Sequence, residues 1–103
     1  MSKTENTNGF AVARGTEVYF PYAARGGWAV YHGVMSKMNP VEPRVLLDDG
    51  REVTTYYKRL FPTHAAARDA AIELCERDIQ RADDIKARMT AALEALQPKA
   101  VTA

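Results

Sequence analysis

The chain has 103 residues, 47% of them apolar and 26% charged, with one cysteine and a net charge of +1. That length suits one domain with a single modest core. A net charge so near zero supplies no overall field to attract nucleic acid or an anionic membrane. The lone Cys75 leaves no intramolecular disulfide, which fits a reducing compartment. No apolar run approaches the roughly 20 residues that span a bilayer, and Met1–Gly9 lacks the apolar stretch of a signal peptide. The expectation is a cytoplasmic protein with no membrane partner.

Residues 1–9 are polar and read as a disordered tail, because they offer too little apolar surface to offset ordering entropy. Residues 10–62 read as a compact head of short strands. Thr16 to Phe20 is a β-favouring run ended by Pro21, and Ala23 to Gly27 is a glycine-rich loop. Trp28 to Met35 is a second strand, Arg44 to Asp48 a third and Glu52 to Tyr57 a fourth. Between the last two, Asp49-Gly50 fits a two-residue type I′ hairpin with positive φ at both positions. Lys58 to Pro62 predicts a single helical turn. In the second strand Trp28, Val30 and Val34 point one way while Ala29, Tyr31 and Met35 point the other. Both faces therefore need cover.

Residues 63–97 contain neither glycine nor proline and predict one long helix capped by Thr63, with a short tail over 98–103. Its first part, Ala65 to Cys75, is rich in alanine and suits close packing on an outer face of the head. At 1.5 Å per residue the helix would run about 50 Å, well beyond a small head of roughly 25 Å. Apolar positions recur at helical spacing along it, including Ile79, Ala82, Ile85, Met89, Leu93 and Leu96. That surplus predicts an oligomer, most simply a homodimer, joined through these six residues. Asp83-Asp84 is the place where a break would fall.

The head resembles a small SH3-like barrel of the Tudor or KOW kind. The matching pieces are Gly15-Thr-Glu-Val18, Trp28 with Gly33-Val34, Val45-Leu-Leu-Asp-Asp-Gly50, and Val53 with Leu60. The match covers residues 14–62 and leaves the helix out. The resemblance implies a small antiparallel barrel, and with the helix read from residues 63–97 the expected fold is α+β: an SH3-like barrel followed by one long C-terminal helix. The resemblance also implies a non-catalytic module that binds nucleic acid, protein segments or methylated side chains, the last through an aromatic cage for which Trp28, Tyr31 and Tyr57 are candidates. Small plasmid-type dihydrofolate reductases resemble the same barrel class, but their active-site strand signature is missing.

The head carries seven basic residues against five acidic ones, and the helix segment five against seven. Arg25 to Trp28, together with Tyr56 to Arg59, makes the strongest nucleic-acid candidate. Arginine and lysine can bond phosphates while aromatic rings stack on bases. Arg25, Trp28, Tyr57, Lys58 and Arg59 are the expected contacts. The other reading is an adaptor or inhibitor that docks on a partner protein through head and helix. His32 and His64 are too few to predict a metal site, Asp48-Asp49 reads as turn chemistry, and Cys75 as a small apolar residue. No serine, cysteine and histidine pattern pairs a nucleophile with a base, so neither an enzyme nor a cofactor is expected.

Overall fold

The computed structural model describes residues 4–97. It is an α+β molecule of two antiparallel sheets and one long C-terminal helix, extending 80 × 25 × 22 Å. Strands β1 (Thr4–Thr7) and β2 (Phe10–Ala13) form a hairpin of their own. The second sheet is a meander of β3 (Glu17–Ala24), β4 (Gly27–Lys37), β5 (Arg44–Leu47) and β6 (Glu52–Thr54). A 3₁₀ turn at Tyr57–Arg59 leads to α1 (His64–Leu96).

The β1–β2 hairpin corrects the expectation of disorder over residues 4–9; Met1–Lys3 and the tail at 98–103 lie outside the described residues. Asn8 and Gly9 sit at φ 47° and 82°, the paired positive angles of a two-residue hairpin turn. Polar side chains hold the turn of this hairpin to the head, alongside apolar burial from β2. The Thr7 hydroxyl donates to the Tyr57 carbonyl at 2.7 Å, and Asn8 Nδ2 donates to the carbonyls of Lys58 and Leu60 at 2.9 and 2.6 Å. Val12 of β2 is the buried anchor.

The core joins Val12 to Val18, Phe20, Met35, Val45, Leu47 and Leu60, with Tyr22, Tyr31 and Tyr57 packed at its margin. Strand alternation explains the set, since Val18, Phe20 and Tyr22 share one face of β3. Pro21 lies within β3 rather than ending it. Tyr19, two positions earlier, directs its N–H and C=O away from β4 to Phe61, at 2.9 and 2.8 Å. The missing N–H of Pro21 thus falls on the edge of β3 that β4 does not use. Gly33 is buried where β5 passes closest: a Cβ there would collide with the Leu46 carbonyl oxygen and meet Val45 Cγ1 at 2.7 Å.

Two expectations change here. The β5–β6 connection is not a two-residue I′ turn. Only Gly50 has positive φ (87°), Gly50 N–H bonds the Leu47 carbonyl at 3.0 Å, and Leu47 N–H bonds the Arg51 carbonyl at 2.7 Å. This is a three-residue loop, Asp48 to Gly50, in which glycine alone takes the left-handed position. The sheets, moreover, are not closed into a barrel: β6 has only three residues, and past it the chain touches β3 at the single Tyr19–Phe61 bridge.

The helix forms as its sequence predicts. The Thr63 hydroxyl accepts from Ala66 N–H at 3.2 Å, capping the first turn. Ala67 and Ala71 are buried against β3 and β4, where small side chains permit close approach. From Glu76 onward every residue of α1 is exposed, and no break occurs at Asp83. No helix among the described residues is long and apolar enough to cross a membrane.

Candidate functional site

Trp28 opens β4 on the outer face of the sheet, opposite Ala23 of β3. Its indole N–H donates to Asp78 Oδ2 of α1 at 2.8 Å, which ties the helix to the sheet two turns beyond the last buried alanine. The Arg59 guanidinium lies 5.0 Å from the Trp28 ring and 5.6 Å from Tyr56, and the Lys58 ammonium stands 5.9 Å from Tyr56. Such cation–π contacts contribute about 0.5–1 kcal/mol each at exposed positions. Lys58 and Arg59 also line a groove of ≈ 230 Å³ between head and helix, together with Pro21, Phe61, Glu73 and Arg77.

The structure therefore brings Trp28, Lys58 and Arg59 together, although 30 residues of chain separate the tryptophan from Lys58. Arg25 stands exposed in the β3–β4 turn, beside the strand that carries Trp28. Tyr57 departs from the expected set. Its ring packs against the core, its hydroxyl donates to the Asn39 carbonyl at 2.7 Å, and burial pushes its pKa up. Tyr56, its neighbour, holds the place assigned to it and is 43% exposed. Sequence alone cannot separate two adjacent tyrosines until the direction of the backbone is known. The aromatic cage is also corrected. Tyr31 lies on the opposite face of β4 from Trp28, stacked on Tyr22 at 5.0 Å in the core margin.

A second cluster is one that sequence reasoning missed. His32 lies between two carboxylates: its Nε2 is 2.5 Å from Glu17 Oε1 and its Nδ1 is 2.8 Å from Asp48 Oδ2. The Tyr19 ring lies 4.7 Å from the imidazole at an angle of 36°. With acceptors at both nitrogens, the protonated ring satisfies both contacts. The bond to Asp48 raises the His32 pKa, burial opposes it, and Glu17 adds to the rise. Asp48 is thus more than a turn residue. The His64 ring also meets Tyr19, edge-on at 6.0 Å. Among the described residues no group of three or more His, Cys, Asp or Glu is placed to hold a metal ion.

Along α1, Ile79, Ile85, Met89, Leu93 and Leu96 are 44–81% exposed, and Ala82 is exposed with them. Cys75 is half-buried on the part of the helix that meets the head. No family model, no curated protein and no solved structure matches the chain.

Proposed function

We propose that the protein is a non-enzymatic binding module whose head takes single-stranded nucleic acid and whose helix joins it to a second copy. The observation that carries the first part is the convergence of Trp28, Tyr56, Lys58 and Arg59 on one surface. Tyr56 offers a flat ring for stacking a base, and Lys58 and Arg59 stand beside it to meet phosphates. Asp78 pins the Trp28 indole, so this surface is preorganised. We read the head as an SH3-like barrel left open. The order of its meander, the 3₁₀ turn after β6 and the return of Phe61 to the free edge of β3 all support that reading.

Trp28 is the only tryptophan, so its fluorescence reports on the site directly. Titration with a short oligo-dT at low salt should quench it. With Arg25, Lys58 and Arg59 as the phosphate contacts, affinity should fall with salt at a log–log slope of about −2. Changing Tyr56 to alanine should weaken binding roughly 5- to 150-fold, the range of one stacked base. Failure of the parent protein to bind at low salt would overturn this reading. The adaptor reading would then lead. It has its own support in Val34 and Leu46, a cross-strand pair left 37% and 40% exposed on the outer face of the sheet.

A further inference from the structure

The face of α1 that docks on the head is used twice. Ala67, Ala71, Leu74 and Asp78 meet the head: the two alanines are buried, Leu74 lines the groove, and Asp78 accepts from Trp28. Five helical turns are 18 residues at 3.6 per turn. Moving that far along the same face carries Ala67 onto Ile85, Ala71 onto Met89, Leu74 onto Ala92 and Asp78 onto Leu96. All four second positions are apolar, and Ile85, Met89 and Leu96 are 44%, 62% and 81% exposed. The docking face therefore continues in register past the end of the head. Ala82 and Leu93 widen it along one side.

This repetition fixes how two copies can meet. Since head and free stripe lie on the same side of the helix, a second helix laid on the stripe enters the space directly beyond the head. Packed helices sit 8–10 Å apart. In a parallel pair both heads would fall at the same level in that gap, which is far too narrow given that the molecule measures 22–25 Å across its short axes. In an antiparallel pair each head lies beyond the tip of the other helix, and no overlap arises. Building on the self-association proposed above, we propose that residues 79–96 of α1 pair antiparallel with the same segment of a second copy in a two-fold dimer. The occupant is a second copy because the stripe continues an interface the chain already makes, and because the step between head and stripe accepts a helix of this length. The free segment also gains what it lacks alone: an unsupported helix of this length is marginal in water. The two Trp28 surfaces would then stand at opposite ends, with the helix segments under the heads about 50 Å apart along the axis.

Spin labels on the outward side of the free segment test the arrangement. Cysteines are placed singly at Gln80, Ala87 and Glu94 in a Cys75→Ala background, and distances between copies are measured by pulsed electron resonance. The antiparallel dimer predicts the shortest distance at 87, with the pairs at 80 and 94 separated by a further axial offset of about 20 Å each. Equal distances at all three positions in a protein that sediments as a dimer would overturn the antiparallel arrangement and leave self-association standing. A monomer at high micromolar concentration would overturn self-association itself, and the oligo-dT titration of the head would be unaffected. Ile85→Glu with Met89→Glu, which leaves the head untouched, should abolish every intermolecular distance and give a monomer. A dimer persisting in that variant would also overturn the proposal.

Discussion

The head and the free half of α1 are held together by different physics. In the head, 47 residues lie between the end of β2 at Ala13 and the bridge that Phe61 makes beyond β6, and neighbours in the core come from distant points of the chain. Each close approach there depends on a particular residue, such as glycine at position 33 or alanine at 67. Beyond Asp78, the last helix residue bonded to the head, every side chain of the helix is exposed, and its hydrogen bonds run four residues back. Its shape follows from the absence of glycine and proline, whatever its side chains face. The head can therefore be broken by one methyl group, and the free helix only by changes to its backbone preference or its apolar stripe.

The sharpest test of that difference compares one methyl group added with one removed. Gly33→Ala places a Cβ against the Leu46 carbonyl and Val45, both fixed by pairing with β6, so the strands must separate. A loss of about 3 kcal/mol is expected, at the upper end of overpacking costs, read as a lower midpoint in urea. Ala87→Gly in the free helix should cost only about 1 kcal/mol of helix propensity and leave the unfolding of the head unchanged. Equal midpoints for Gly33→Ala and the parent would show that β4 and β5 can move apart freely.

A smaller effect is expected at Gly50, where the constraint is the backbone alone. Its φ of 87° is strained for any side chain, yet no atom lies within 4 Å of the position a Cβ would take. Gly50→Val should cost about 1–3 kcal/mol, and Gly50→Asn clearly less, because asparagine tolerates the left-handed region. If the two variants lost equal stability, the turn would be limited by something other than φ.

How much of this was legible in the sequence follows the same division. The helix could be read residue by residue, from the Thr63 cap to its end before Pro98, because every signal is local. The β3–β6 strands could be located, but not the number of residues each contributes to pairing: Glu52 to Tyr57 suggested a strand of six, and β6 stops at Thr54. Asn8-Gly9 carried a strong hairpin signal that the polar composition around it masked, since the bonds from Asn8 and Thr7 reach carbonyls about 50 residues away. Tyr56 and Tyr57 were interchangeable until the 3₁₀ turn fixed their directions. The cluster of Glu17, His32 and Asp48 required the register of two strand pairs at once, and no one-dimensional pattern encodes that.

That cluster gives the smallest effect and the one most specific to the head. His32 has its pKa raised above the ordinary 6.5, chiefly by its bond to Asp48 and further by Glu17. A folded-state pKa above the unfolded value means that the folded protein holds the proton more tightly. The resulting stabilisation is complete below about pH 6.5 and is lost as pH rises through the folded value. The side chain is 30% exposed, so solvent screens the pair and the effect is modest. Urea midpoints measured between pH 6 and 8.5 should fall slightly for the parent and stay level for His32→Gln, which cannot gain a charge. The free helix serves as the internal control, because no histidine lies on it beyond Cys75. A parent midpoint that rises over this interval would mean that His32 is held neutral, with Tyr19 and burial outweighing both carboxylates.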